Sequence, residues 1–151
     1  MRDEEQKEEK DYRSAITNNV KQHGLSKSER IKSKKDFEKV FSSGITVFSS
    51  DKKLKATYYF CKTTKRGAIK AAFAVHRKAG TAVWRNRAKR LLRESYRLNK
   101  DILYSSFDFD RGILQVVFSL KNINQKKQKR IHLNEFEPAV VELMNKIRGS
   151  I

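Results

Sequence analysis

The segment AVWRNRAKRLLRESYRL, residues 82–98, restricts the fold more than any other part of the sequence. Six of its seventeen residues are cationic, yet its apolar residues recur at helical spacing. On a helix at about 100° per residue they fall within a stripe about 120° wide. The stripe consists of Trp84, Ala88, Leu91, Leu92 and Leu98, with Ser95 among them. The segment therefore predicts one long amphipathic helix whose apolar side packs on the rest of the molecule.

The cationic side of this helix indicates a polyanionic ligand. Like charges four residues apart on a helix repel each other, and Glu94 is the one acidic residue of the segment. Phosphates offset that repulsion well, because guanidinium groups grip phosphate oxygens in a bidentate manner. An ordinary solvated face, the alternative, would normally mix Glu with Lys. The predicted phosphate-binding set consists of Arg85, Lys89 and Arg93 in one row, Asn86, Arg90 and Arg97 beside it, and Arg87 on its flank.

Composition supports this interpretation. The 151 residues carry a formal net charge of +18, and residues 1–12 contain six acids and three bases, so the remaining chain is more basic still. A body this basic repels itself unless a polyanion, either nucleic acid or an anionic membrane, neutralises it. No apolar run approaches the roughly 18 residues of a membrane span, and the start lacks the apolar core of a secretion signal. A single cysteine, Cys61, excludes an internal disulfide and a cysteine-based zinc cage, which favours a cytoplasmic location.

The remaining pattern predicts one α+β domain. Residues 1–24 are charged and aperiodic, which predicts a disordered extension ahead of a folded domain over residues 25–151. SKKDFEKVFSSG predicts a short helix, capped by Ser33 and followed by Gly44 in a left-handed C-cap. NEFEPAVVELMNKI predicts a closing helix with Pro138 near its first turn. Four segments are typical of strands: ITVFSS, LKATYYFCK, IKAAFAVH and GILQVVFSL.

Two further basic segments flank the long helix. HRKAG places Arg77 and Lys78 in the turn before it, where Gly80 relieves backbone crowding. The loop NQKKQKR carries cations without any acid. Contact with nucleic acid and an ordinary solvated loop both remain open for this segment.

The segment HRKAGTAVWRNRAKRLLRE closely resembles the signature of bacterial ribonuclease P protein components. It contains the triplet Arg85-Asn86-Arg87, the pair Lys89-Arg90, and the ending Arg93-Glu94 at the family's spacing. RIKSKKDFEKVFSSG is similar to the family's opening helix, and the resemblance covers roughly residues 25–147. Two positions depart from the family pattern: His76 stands where Ser is common, and Thr81 where Asn is common.

The resemblance implies a two-layer α/β sandwich of the ribosomal protein S5 domain 2-like class, in the order αβββαβα. It also implies a left-handed βαβ crossover, whereas general rules of chain handedness predict a right-handed one. The long helix and the turn before it would bind the catalytic RNA of ribonuclease P. A cleft between the opening helix and the sheet would bind the single-stranded 5′ leader of precursor tRNA. The leader-binding residues implied are Arg30, Phe37, Phe41 and Tyr58.

The sequence offers little for catalysis by the protein itself. His23, His76 and His132 do not stand at metal-ligand spacing, the acids outside the first residues are scattered, and Cys61 is expected to pack in a strand. The resemblance implies that Mg²⁺ ions held by the RNA, not by a protein site, perform the hydrolysis. It implies ribonuclease P RNA and precursor tRNA as partners, with neither a membrane nor an obligate protein partner. The alternatives are a structural RNA-binding protein, such as a small ribosomal protein, and, more weakly, a DNA-binding regulator.

Overall fold

The computed structural model describes residues 24–63 and 66–151. The predicted extension and His23 lie outside the described residues, apart from Gly24. The helices are α1 (Lys34–Ser43), α2 (Ala82–Asn99), the single turn α3 (Asp101–Tyr104) and α4 (Leu133–Ser150). The strands are β1 (Ile45–Phe48), β2 (Leu54–Lys62), β3 (Ala68–Ala74) and β4 (Gly112–Leu120). The predicted order αβββαβα is confirmed, with α3 as an additional turn between α2 and β4.

The four strands form one mixed sheet in the order β1-β2-β4-β3. β2 pairs antiparallel with both β1 and β4, and β3 pairs parallel with β4. The alternation predicted for LKATYYFCK is confirmed, because Leu54, Ala56 and Tyr58 are buried in the main core. That core lies between this face of the sheet and the helices α2 and α4, which contact each other along their length.

Helix α1 crosses the opposite face of the sheet. Its end lies over β2, where a Cβ on Gly44 would come within 3.0 Å of the Thr57 side chain. Lys39 places its Nζ 5.6 Å from the centre of the Tyr59 ring. The side chains of Thr57 and Tyr59 lie on the face of the sheet opposite to the side chains of Leu54 and Tyr58. One face of the sheet is therefore covered by the core with α2 and α4, and the other face is partly covered by α1.

The chain crosses from β3 to β4 in a left-handed sense. Ala71 of β3 is buried on the α2 side, and its carbonyl accepts a hydrogen bond from the Ile31 N–H (3.1 Å) at the edge away from β4. In an extended L-chain running upward, a residue whose side chain faces the viewer points its carbonyl to the right. Seen from the α2 side, β4 therefore lies to the left of β3. A connection that passes over this face and moves left is left-handed, against the general rule.

Two local predictions were wrong. Gly44 has φ −82° and ψ 169°, which is extended rather than left-handed. It is needed for close approach, because a Cβ there would lie 2.2 Å from the Val40 carbonyl oxygen and 2.7 Å from that of Tyr58. Pro138 falls in the second turn of α4, because the helix begins at Leu133. The predicted cap of α1 is confirmed, since the Ser33 side chain accepts from the Asp36 N–H at 3.4 Å.

A buried ion pair fastens the first described residues to the end of α2. Lys100, 6% exposed, donates from Nζ to Glu29 Oε2 at 2.9 Å and to the Gly24 carbonyl at 2.5 Å. The same ammonium lies 5.3 Å from the centre of the Tyr104 ring. Burial, and then the nearby Glu29 carboxylate, raise the pKa of the Tyr104 hydroxyl. The pair joins the segment before α1 to the helical core.

We expect Glu29→Gln to lower the free energy of unfolding by about 2–3 kcal/mol, because a buried ammonium loses its counter-charge. Urea titration followed by circular dichroism measures this. The control is Glu38→Gln, which removes the exposed pair with Lys34 at 4.0 Å and should change stability by less than about 0.5 kcal/mol. Equal losses in the two variants would show that the buried pair contributes no more than a surface one.

Candidate nucleic-acid interface

The apolar side of α2 is buried as predicted, and the buried sector is wider than predicted. Trp84, Ala88, Leu91, Leu92 and Ser95 are buried, while Leu98 is half-buried. Tyr96 is also fully buried, with its ring 5.8 Å from that of Phe73 and 5.5 Å from that of Phe118. Burial raises the pKa of the Tyr96 hydroxyl. Tyr96 lies next to Leu92 on a helical wheel, so a wider stripe could have identified it from the sequence.

The basic side of α2 is almost free of carboxylates. Among the residues that the structure describes, only Arg97 of its six cations lies within ion-pair distance of an acid, with Nη2 2.5 Å from Glu94 Oε2. The charge of Arg97 is therefore offset within the helix. The other five keep their charge unpaired within residues 24–63 and 66–151; they are Arg85, Arg87, Lys89, Arg90 and Arg93. Together with the exposed amide of Asn86, these five form the basic face of α2.

Contacts with uncharged groups hold several of these cations. The Arg87 Nε donates to the Ile131 carbonyl at 3.0 Å, which fixes the side chain against the segment before α4. The Arg93 guanidinium lies 5.9 Å from the centre of the Phe73 ring. Arg85 is half-buried, since it lies between Leu92 and Tyr96 on the helical wheel, and its Nε is buried without a partner in the described structure. These contacts orient the guanidinium groups without neutralising them.

The turn before α2 is built by side-chain caps. His76 Nδ1 accepts from the Lys78 N–H at 3.1 Å, and Thr81 Oγ1 accepts from the Trp84 N–H at 3.3 Å. Both positions that depart from the family pattern therefore still cap the backbone, as Ser and Asn side chains can do. Arg77 and Lys78 are exposed in this turn and adjoin the basic face of α2.

Gly80 marks a close approach between this turn and the loop before α4. Its backbone is extended, and a Cβ there would lie 2.8 Å from Gln125 Oε1, 2.9 Å from Gln125 Cβ and 3.0 Å from Trp84 Cε3. Gln125 joins the two segments, because its N–H donates to the Ala79 carbonyl at 2.7 Å and its Oε1 accepts from the Thr81 N–H at 2.8 Å. The crowding predicted at Gly80 is confirmed.

The predicted leader-binding residues are only partly brought together. Phe37 and Phe41 of α1 pack edge to face with ring centres 4.9 Å apart, and Phe41 is 47% exposed. Arg30 is exposed at the outer edge of β3, and its Nη2 donates to the Leu25 carbonyl at 3.0 Å. Tyr58 does not join them, because it is buried on the other face of the sheet. Its neighbour Tyr59 lies on the α1 side, under Lys39.

Tyr59 was not identified from the sequence as a residue on the face that α1 crosses. The alternation of β2 placed Tyr58 and Tyr59 on opposite faces but did not indicate which face α1 would cross. We therefore define the α1 cleft by Phe37, Phe41, Lys39 and Tyr59. It comprises the edge-to-face pair Phe37 and Phe41, and Tyr59 with the Lys39 ammonium above its ring.

The described residues contain no group of three or more His, Cys, Asp or Glu side chains placed to hold a metal ion. In the same part of the chain, no helix has the length and hydropathy needed to cross a membrane.

Comparison with known proteins yields one consistent family. A family model described as Ribonuclease P matches residues 25–144. The ribonuclease P protein component of Clostridium botulinum (strain 657 / Type Ba4) is 33% identical over 120 residues, covering 80% of this chain and 95% of the relative. That of Desulforapulum autotrophicum is 32% identical over 103 residues, covering 66% of this chain and 81% of the relative.

Two solved structures share the fold. The RNase P protein from Thermotoga maritima is 21% identical, with a TM-score of 0.58 over 78% of this chain and 96% of that one. The Staphylococcus aureus RNase P protein is 19% identical, with a TM-score of 0.58 over 80% of this chain and 96% of that one.

Replacing Gly80 tests the packing of the basic turn against the loop. Gly80→Ala should lower the free energy of unfolding by about 1–3 kcal/mol, because the new Cβ is overpacked against Gln125 and Trp84. The control is Gly149→Ala in α4, where a Cβ meets nothing within 4 Å and should be neutral or slightly stabilising. Thermal unfolding of both variants measures this, and an unchanged Gly80→Ala protein would mean that the loop does not rest on the turn.

Proposed function

This chain belongs to the family of ribonuclease P protein components, and from that premise we propose that the basic face of α2 binds the ribonuclease P RNA. The chain is a subunit of an endoribonuclease holoenzyme that processes tRNA. The alternative role as a structural ribosomal protein has no support in the comparisons. The observation that carries the proposal is the set of five α2 cations without a carboxylate partner in the described structure.

The catalytic step belongs to the RNA in this proposal. The hydrolysis would use Mg²⁺ ions held by the RNA, and the protein would screen the repulsion between the phosphates of the two RNAs. The basic face of α2, with Arg77 and Lys78, would supply that screening as positive charge held on a rigid helix. The place of action is the cytoplasm, where tRNA precursors and the RNA subunit are made in bacteria.

The α1 cleft is the proposed site for the 5′ leader of precursor tRNA. Single-stranded nucleic acids bind to aromatic side chains set in a positive groove. Phe41 exposes much of its ring, Phe37 supports it edge-on, and Lys39 supplies a charge beside Tyr59. Tyr59 takes the role that the family resemblance implied for Tyr58, since only Tyr59 lies on this face.

The proposed subunit role is tested by cleavage of precursor tRNA at low Mg²⁺ by a bacterial ribonuclease P RNA, with and without this protein. The protein should stimulate cleavage, and Arg90→Gln together with Arg93→Gln should weaken its binding to the RNA. A plot of log affinity against log salt should become shallower by about one unit for each phosphate that the variant no longer neutralises.

The control for charge alone is Arg148→Gln at the end of α4, outside the basic face of α2. It should leave both the affinity and the salt dependence close to those of the unmodified protein. No stimulation with a correctly folded RNA would overturn the subunit role. Stimulation that the double variant retains in full would instead overturn the assignment to the basic face of α2.

Phe41→Ala should weaken binding of leader-bearing precursor by about 1–3 kcal/mol, because stacking on one base is removed. Its affinity for mature tRNA, which lacks the leader, should be unchanged. Fluorescence anisotropy with the two RNAs on the assembled holoenzyme measures the difference. Phe48→Ala is the matched control, since Phe48 is also partly exposed but lies at the far end of β1. Equal losses for both RNAs would indicate that Phe41 only supports the fold.

A further inference from the structure

The loop between β4 and α4 is ordered by its uncharged side chains. Asn124 Oδ1 accepts from the Lys127 N–H at 2.9 Å, and the Asn124 carbonyl accepts from the Gln128 N–H at 2.9 Å. Gln125 binds the turn before α2 through both its backbone N–H and its side-chain oxygen. The Gln128 amide donates to the Glu135 carboxylate. The three amide residues thus form the inner side of the loop.

The cations of the same loop lie on its outer side. Four basic residues are exposed, and within the described residues none of them has a carboxylate at ion-pair distance. They are Lys126, Lys127, Lys129 and Arg130. A solvated loop can carry high charge without any fixed arrangement of its side chains. In this loop, by contrast, the amides and the cations lie on opposite sides. That segregation favours a built surface over a solvated loop.

The loop and the residue after it are joined to α2 and to the turn before α2 at three points. Gln125 bonds to Ala79 and Thr81 at the start of the helix, the Trp84 Nε1 donates to the Gln128 carbonyl at 3.1 Å, and the Arg87 Nε donates to the Ile131 carbonyl at 3.0 Å. Trp84 and Arg87 are one helical turn apart on α2. The loop cations are therefore held beside Arg87 in a fixed relation to the helix.

We propose that residues 124–130 form a second phosphate-binding surface that extends the basic face of α2 and binds the sugar-phosphate backbone of the same folded RNA. The loop contains no aromatic residue, so its contacts are with phosphates and not with stacked bases. Its fixed geometry lowers the ordering cost of binding, because the amides already hold the backbone in place. This inference rests on the proposed function and adds a second contact region to it.

Charge removal in the loop tests the proposal. Lys126→Gln with Lys127→Gln should weaken binding of the protein to ribonuclease P RNA by on the order of tenfold or more and make the salt dependence shallower by about one to two units. The charge-matched control is Lys62→Gln with Arg111→Gln, two exposed cations at the opposite end of the sheet. It should leave RNA affinity nearly unchanged.

A second variant tests the fixed geometry without changing charge. Gln125→Ala removes the side-chain bond to Thr81 and should weaken RNA binding severalfold while all cations remain. Trp84 is the one tryptophan of the chain and donates to this loop, so its emission reports loop docking directly. The emission should change on Gln125→Ala and on addition of RNA to the unmodified protein.

The outcomes separate this inference from the proposed function. If the loop variants bind RNA normally while Arg90→Gln with Arg93→Gln binds weakly, the second surface is wrong and the α2 surface stands. If neither set weakens binding, the α2 assignment fails as well. If loop and control charge pairs weaken binding equally, the effect is general electrostatics and the loop is not a site. Normal binding by Gln125→Ala would overturn the claim that loop geometry matters.

Discussion

The burial of one side of α2 is the interaction on which the rest of the structure depends. A helix with six cations and one acid gains little from its own side-chain pairs, and several of those pairs are repulsive. Its position is secured by burying Trp84, Leu92 and Tyr96 against the sheet and α4. Side chains of this size each contribute roughly 1.5–3 kcal/mol when fully buried. Burial of the apolar side of α2 therefore offsets the repulsion among the cations on its other side.

The left-handed crossover determines where that charged side is placed. β3 is an edge strand, and its outer edge is occupied by Ile31 instead of a further strand. α2 returns over the sheet from this edge to β4, so its first turn lies beside the loop that leaves the other end of β4. The approach of this loop to Ala79 and Thr81 follows from the topology. With the same strand order, a right-handed connection would carry α2 over the opposite face of the sheet, away from α4 and from the loop before it.

The sequence predicted the structure best for long helices and strands, whose apolar residues recur with a clear period. The bounds of β2 and β4, the buried stripe of α2 and the alternation of β2 all follow from apolar spacing. It was least informative where the answer depends on which surfaces meet. Tyr96 is buried beyond the predicted stripe because both the sheet and α4 cover α2, and Tyr58 lies away from the cleft because α1 crosses the other face. Gly44 was assigned a left-handed conformation, although the constraint is its approach to β2. The handedness of the crossover came from a family resemblance and not from any local pattern.

The chemistry of the loop and of α2 follows one division of roles. Amides and carbonyls make the contacts inside the protein: Gln125 with Thr81, Gln128 with Trp84, and the Ile131 carbonyl with Arg87. Cations are left for the outside, and Glu94 is the one described acid paired with a cation of α2. The Glu135 carboxylate also accepts from the Gln128 amide, but it belongs to α4, and the joints to α2 contain no carboxylate that would weaken the field attracting a polyanion. Anchoring a basic surface through neutral groups gives it fixed geometry while leaving its charge available, which is the combination that recognition of a folded RNA by its phosphates requires.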